Sequence, residues 1–170
     1  MYIDCSGFES VLLEKSLKVP FIPYTNWLFN DSAVAIPTEY KDPRQECHTY
    51  TKATAMHSGW RWTIPTYHRI GNGYVYSSKY STPENAESEL RDAIGDYATP
   101  ARHLKMKTGY HKSVAHKNVL GVGLAAGFVE PLEATGITFT TFVVSLATNV
   151  LNQYGSVSYT HLRAHETCTN

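Results

Sequence analysis

Hydrophobic positions alternate through the middle of the chain and run together near its end. Gly59-Trp-Arg-Trp-Thr-Ile-Pro65 puts Trp60, Trp62 and Ile64 on one face, the period-two pattern of a strand. Tyr50 to Ala55 reads as the strand before it and Tyr74 to Ser78 as the strand that returns. Between them, Arg69-Ile-Gly-Asn-Gly73 is read as a hairpin turn, with Asn72-Gly73 as its signal. Residues 20–46 are irregular, with Pro20, Pro23, Pro37 and Pro43, and hold one strand, Asp31 to Pro37, for which a plain edge position suffices. Thr82 as N-cap, Pro83 at the first position and Glu84 in the first turn open a helix. Ala86, Leu90, Ala93 and Ile94 form its apolar stripe, and Gly95 closes it. Arg102 to Lys107 and Tyr110 to Ser113 flank Thr108-Gly109, a second hairpin whose basic residues face solvent. Residues 47–113 therefore predict an antiparallel sheet layer.

A strand tip, Tyr2 to Asp4, opens the chain, with Ser6-Gly7 as a turn after it. Val119 to Val122 is a short buried strand, followed by a Gly- and Ala-rich loop, Pro131, and an apolar run of helical length from Ile137 to Leu151. In a strand, glycine loop and helix start, small residues let the backbone approach a flat or charged ligand. The helix N-terminus adds free N–H donors and the positive end of the dipole. Residues 133–137 can hold an anion or polarise a ligand oxygen; an ordinary strand-to-helix connection accounts for the same spacing. Trp60 and Trp62 likewise read either as core or as a ligand wall.

Composition narrows the classes. The 170 residues suffice for a domain with a core, and Lys+Arg and Asp+Glu are equal at 15 each. That balance gives no electrostatic footprint for nucleic acid or an anionic membrane. Twelve tyrosines suit aromatic pockets and sheet packing equally. Cys5, Cys47 and Cys168 show neither a pairing pattern nor zinc spacing, which fits a reduced cytoplasmic setting and no metal site. Threonines and Ser145 interrupt the apolar run after Ile137, so it does not read as a membrane span.

The loop residues carry more than their spacing. Gly-Leu-Ala-Ala-Gly-Phe-Val-Glu-Pro-Leu-Glu-Ala-Thr-Gly-Ile, residues 123–137, closely resembles the signature GL-x-x-GF-x-EPLE-[SA]-T-[SG]-I of the flavin-dependent tryptophan halogenases. Gly59, Trp60, Trp62, Ile64 and Pro65 match the family's second hallmark, GW-x-W-x-IP. Arg69, Gly71, Gly73, Tyr74, Tyr76 and Ser77 match its R-x-G-x-GY-x-YS continuation, and Asp4, Cys5, Ser6, Gly7, Phe8 and Ser10 its DC-[ST]-GF-x-S segment. One departure is Ala115, where relatives usually carry Trp.

The resemblance implies an oxidoreductase that uses reduced FAD, delivered by a flavin reductase without need of a stable complex, and oxygen. These oxidise chloride or bromide for halogenation of tryptophan or another small aromatic. It implies Glu133 as the catalytic glutamate, which orients the halogenating species or takes the proton from the cationic intermediate. Thr135 and Gly136 are implied as halide-binding through backbone N–H groups, Leu124 and Ile137 as flavin contacts, and Trp60 and Trp62 as a wall near the flavin. Glu130 has a structural role, and Lys79 stands in the wrong context for the family's catalytic lysine. The implied fold is a piece of the α/β FAD-binding fold of the hydroxylase type (Rossmann-like), an antiparallel sheet plus strand–loop–helix.

No GxGxxG dinucleotide motif occurs, so residues 1–156 are expected to be an internal fragment of the catalytic domain. Residues 157–170 resemble the translation of a sequencing-library adapter and are expected to be a non-native tail, so His161, His165 and Cys168 are not read as metal ligands. A related flavin-dependent aromatic monooxygenase and an inactive remnant remain as other readings. Gly123-Leu124 in place of the hydroxylases' Gly-Asp disfavours the first, and the missing dinucleotide and lysine motifs favour the second. The chain alone is expected to bind no FAD stably.

Overall fold

The computed structural model describes residues 1–130, Leu132 and 135–154. They fall into two compact units, Met1–Tyr24 with the chain from Lys107 onward, and Thr25–Met106.

The second unit is a five-stranded antiparallel sheet in the order β4-β5-β6-β3-β7. Its strands are β3 (Ser32–Thr38), β4 (Lys52–Met56), β5 (Gly59–Pro65), β6 (Ile70–Tyr76) and β7 (Arg102–Lys105). Helix α2 (Pro83–Ile94) packs Ala86 and Leu90 against Val34 and Ile36 of β3 and Tyr74 and Tyr76 of β6. The expected helix start is seen in full. Thr82 Oγ1 accepts from the Asn85 N–H at 3.3 Å, Pro83 opens the first turn, and Gly95 ends the helix at φ 70. A short helix, α1 (Pro43–Glu46), capped by Asp42, interrupts the stretch read as irregular.

Three expectations fail here, each for a physical reason. β3 is not an edge strand, because β6 and β7 flank it. Its apolar residues serve both faces, with Ala33, Val34 and Ile36 all buried. Pro37 is tolerated because β7 pairs only with Ser32–Ala35, leaving that end of β3 with one neighbour.

Gly71-Asn-Gly73 is not a hairpin turn. β6 runs straight through it, and the chain reverses at 66–69, where the Thr66 N–H and hydroxyl both donate to the Arg69 carbonyl. Gly73 serves space rather than backbone angle. Gly73 faces Trp62 across the ladder, and a Cβ on Gly73 would lie 1.9 Å from the indole ring. Asn72 is buried, and its Nδ2 donates to Thr38 Oγ1 at 3.0 Å.

Thr108-Gly109 is not a hairpin either. β7 joins β3, whereas β8 (Gly109–His111) pairs with β2 (Phe21–Pro23) and β11 (Gly127–Phe128) in the first unit. Gly109 again makes room, since a Cβ there would meet the Ile22 carbonyl at 2.4 Å.

The first unit holds two small sheets. β1 (Tyr2–Asp4) lies parallel to β10 (Val119–Gly121), and β9 (Ala115–His116) pairs antiparallel on the other side of β10. The second sheet has the order β11-β8-β2. A 3-10 turn, Gly7–Glu9, and a π-helix, Val11–Ser16, follow β1 and bring Leu13 against Val19 and Val119. Helix α3 (Thr135–Tyr154) begins two residues before the apolar run that predicts it. No helix among the described residues is long and apolar enough to cross a membrane. Cys5 and Cys47 are unpaired and exposed, and Cys168 lies outside the described residues.

The two glycines of β6 give a direct check. Gly73→Ala should destabilise the chain by about 1–3 kcal/mol through overpacking against Trp62. Gly71→Ala, whose Cβ would meet its neighbours at 3.6 Å, should be nearly neutral. Urea unfolding followed by tryptophan fluorescence separates the two; equal effects would contradict the registered strand.

Candidate functional site

The glycine-rich stretch is fixed at several points before α3 begins. β10 ends at Gly121, and the Val122 N–H donates to the Asp4 carbonyl at 3.0 Å. A 3-10 turn, Gly123–Ala125, follows, with Gly123 at φ 63, where an added Cβ would lie 3.5 Å from Thr140 Oγ1 of α3. Ser10 Oγ donates to the Ala125 carbonyl at 2.9 Å. Ser10 itself is buried and left-handed at φ 40, a conformation that costs a non-glycine residue free energy and persists only where neighbours fix it.

The next carbonyl, of Ala126, accepts twice from His111, from its backbone N–H at 2.9 Å and its Nδ1 at 3.2 Å. His111 is buried, and its Nε2 lies 3.1 Å from Glu14 Oε2. Lys107 Nζ donates to both oxygens of Glu14, at 2.9 and 2.7 Å, and sits 4.0 Å over the Phe21 ring. Lys107, with its hydrogen bond first among the causes, holds the Glu14 carboxyl below its usual range. Lys107 and His111, read from sequence as part of a solvated basic stretch, are thus built into the support of the loop. No local pattern announces them, because Glu14 and His111 stand 97 positions apart.

Asp4 anchors the other side. Its carboxylate accepts from the Ser6 N–H at 3.1 Å and hydroxyl, and from the Leu12 and Leu13 N–H groups at 2.8 and 2.9 Å. Burial alone would raise its pKa; these donors outweigh burial and lower it.

Of the residues expected to form a site, Leu124, Thr135, Gly136 and Ile137 all belong to the first unit, along the turn and the first turn of α3. The first N–H groups of a helix have no acceptor within it, and nothing beyond its chain neighbours and its own helix backbone stands within 4 Å of the place a Cβ on Gly136 would occupy. Leu124 and Ile137 are exposed. Donors at a helix start, an open position and exposed apolar side chains fit a small anion beside a flat ring. Glu133 lies outside the described residues. Trp60 and Trp62 belong to the second unit, their rings 6.1 Å apart, and share a sheet face with Ala53, Ala55, Gly73 and Val75.

Residues 1–161 match the family described as tryptophan halogenase. The chain belongs to that family. It is 45% identical over 141 residues to the tryptophan 6-halogenase SttH of Streptomyces toxytricini, covering 82% of this chain and 27% of the relative. The 7-chloro-L-tryptophan 6-halogenase KtzR of Kutzneria sp. (strain 744) is also 45% identical over 141 residues, with the same coverage. Among solved structures, VirX1 in its apo form superposes with a TM-score of 0.93 at 35% identity, over 97% of this chain and 32% of that one. The crystal structure of SttH does so with a TM-score of 0.87 at 39% identity, over 97% and 32%. The mixed α/β architecture is therefore part of the flavin-dependent halogenase fold, and the chain spans 27% of the length of these curated relatives.

Two substitutions test the supports. Asp4→Asn should cost about 2–3 kcal/mol at neutral pH, because an amide cannot accept from all these donors. Asp4 titrates lower folded than unfolded, so its stabilisation is complete above its unfolded pKa and lost as pH falls through the folded one. The gap between wild type and Asp4→Asn should accordingly close below about pH 4 in chemical denaturation. His111→Ala should speed amide exchange at 126–128 by about tenfold, the equivalent of one hydrogen bond. Unchanged exchange would mean the loop is held without it.

Proposed function

We propose that this chain forms the halide- and flavin-facing part of a flavin-dependent halogenase acting on tryptophan or another small aromatic. The observation that carries this reading is the start of α3 at Thr135, directly after Glu-Pro-Leu-Glu-Ala, with open space above Gly136. The backbone N–H groups of Thr135 and Gly136 hold chloride or bromide, the chemistry of anion capture at a helix N-terminus. Leu124 and Ile137 offer apolar surface to the isoalloxazine ring. Glu133 orients the halogenating species or takes the proton from the cationic intermediate. Bound and reduced, FAD supplies with oxygen the oxidising equivalent that makes the halide electrophilic. A flavin reductase delivers the reduced cofactor, and the setting is cytoplasmic. Residues 1–156 are a piece of the catalytic domain and 157–170 a non-native tail.

A chimaera tests this: the tryptophan 6-halogenase of Streptomyces toxytricini with its matched 141 residues replaced by those of this chain. Halogenated tryptophan is expected by mass spectrometry, and Glu133→Gln should lower kcat by about 100-fold or more. Thr135→Pro removes one N–H while keeping the first helical position, so it should raise the KM for chloride and leave FAD binding unchanged. A chimaera that binds FAD yet hydroxylates its substrate would make the chain part of a monooxygenase. One that binds FAD and turns over nothing would make it a remnant.

A further inference from the structure

His111 has an acceptor at each end of its ring. Nδ1 lies 3.2 Å from the Ala126 carbonyl oxygen, and Nε2 lies 3.1 Å from Glu14 Oε2. A carbonyl oxygen can only accept, and so can a carboxylate. Glu14 is kept as a carboxylate. The Lys107 ammonium, bonded to both its oxygens, holds its pKa below the usual range against the burial that would raise it, and His111 adds to the effect. Neither partner has a proton to give. A hydrogen bond at each end therefore needs a proton on each nitrogen, which is the imidazolium form.

Either neutral tautomer breaks one end. With the proton on Nδ1, the Nε2 lone pair meets the Glu14 carboxylate. With the proton on Nε2, the Nδ1 lone pair meets the Ala126 carbonyl. The His111 side chain is only 2% exposed, so water does not replace the lost bond. The groups packed against it are few. Glu14, from the π-helix, is the counter-ion. Lys107, before β8, shares that carboxylate and sits over the Phe21 ring of β2. Phe21 meets the imidazole edge-on, with ring centroids 5.1 Å apart. Tyr110, the neighbour of His111 in β8, alternates to the exposed face.

We propose that His111, doubly protonated, is the latch of the glycine loop, and that loss of one ring proton loosens the loop. The latch has two limits. At high pH the ring loses its second donor. At low pH Glu14 is protonated and the counter-ion is lost, below the usual carboxylate range because its pKa is lowered in the fold. The loop is held between these titrations. The latch itself rests on the contacts of His111. Its bearing on flavin rests on the function proposed above, which sets Leu124, two residues before Ala126, against the isoalloxazine ring. His111 touches no ligand in that reading and is a positioning residue.

The test reads the His111 ring nitrogens of the 170-residue chain by 15N NMR, beside amide exchange at 126–128, from about pH 5 to about pH 9. Both nitrogens should carry protons wherever the loop is protected. Protection, corrected for the intrinsic rise of exchange with pH, should fall by about tenfold as the ring loses a proton. In His111→Gln it should be low and should not follow pH. Glu14→Gln keeps an acceptor but removes the counter-ion, so its fall should come at lower pH than in wild type. One unprotonated ring nitrogen in a fully protected loop overturns the proposal, and that measurement needs no variant. So does a fall with pH that persists in His111→Gln, or the absence of a fall in both wild type and Glu14→Gln. In the chimaera above, the Kd for FAD should weaken by about tenfold over the same rise in pH, and His111→Gln should bind weakly throughout. FAD binding indifferent to pH, where exchange follows the ring, overturns the link to flavin. A chimaera that binds no FAD overturns the proposed function, while the ring and exchange measurements still decide the latch.

Discussion

A buried carboxylate needs donors, and in the first unit the donors come from three directions onto Asp4. Ser6 supplies its N–H and hydroxyl, and the first turns of the π-helix supply the N–H groups of Leu12 and Leu13. The backbone carbonyl of the same residue accepts from Val122, one step before the glycine turn. One side chain thus ends β1, caps the π-helix and, through its own backbone, sets where β10 hands over to the loop. Everything that holds the loop follows in sequence from that cap: Ser10 beside Ala125, Leu13 in the core and Glu14 beside His111. Charge-assisted bonds from backbone N–H groups are strong enough to offset the burial.

The loop itself is held by its carbonyls rather than by its side chains. Ala125 and Ala126 have almost nothing to pack with, so their backbone oxygens take the hydrogen bonds of Ser10 and His111. This leaves the side facing α3 with small residues and leaves Leu124 exposed. The backbone is thereby held in place without any side chain covering Leu124.

How far the sequence announced this depends on the range of each interaction. Helix α2 was legible almost residue by residue, because Thr82, Pro83, Leu90 and Gly95 act within one segment. β5 was legible from its alternation, and the family from the loop residues. The turns misled because glycine has two uses. At Gly73 and Gly109 it makes room for Trp62 and for the Ile22 carbonyl, and neither demand is visible in neighbouring residues. The supports of the loop were hidden for the same reason: Glu14 and His111, or Ser10 and Ala125, are near each other only once the fold exists. β2 and α1 were missed because three- and four-residue elements carry too little pattern to read.

The pairing of Trp62 with Gly73 has a consequence for how such chains are compared. GW-x-W-x-IP and R-x-G-x-GY-x-YS look like two motifs, separated by the 66–69 reversal, and are naturally scored one at a time. On the sheet they are the two halves of one hairpin in register, Trp60 against Val75, Trp62 against Gly73 and Ile64 against Gly71. The ring on one strand occupies the absence of a side chain on the other. A change at either position alone meets a clash or leaves a void, so the two should vary together or not at all across relatives.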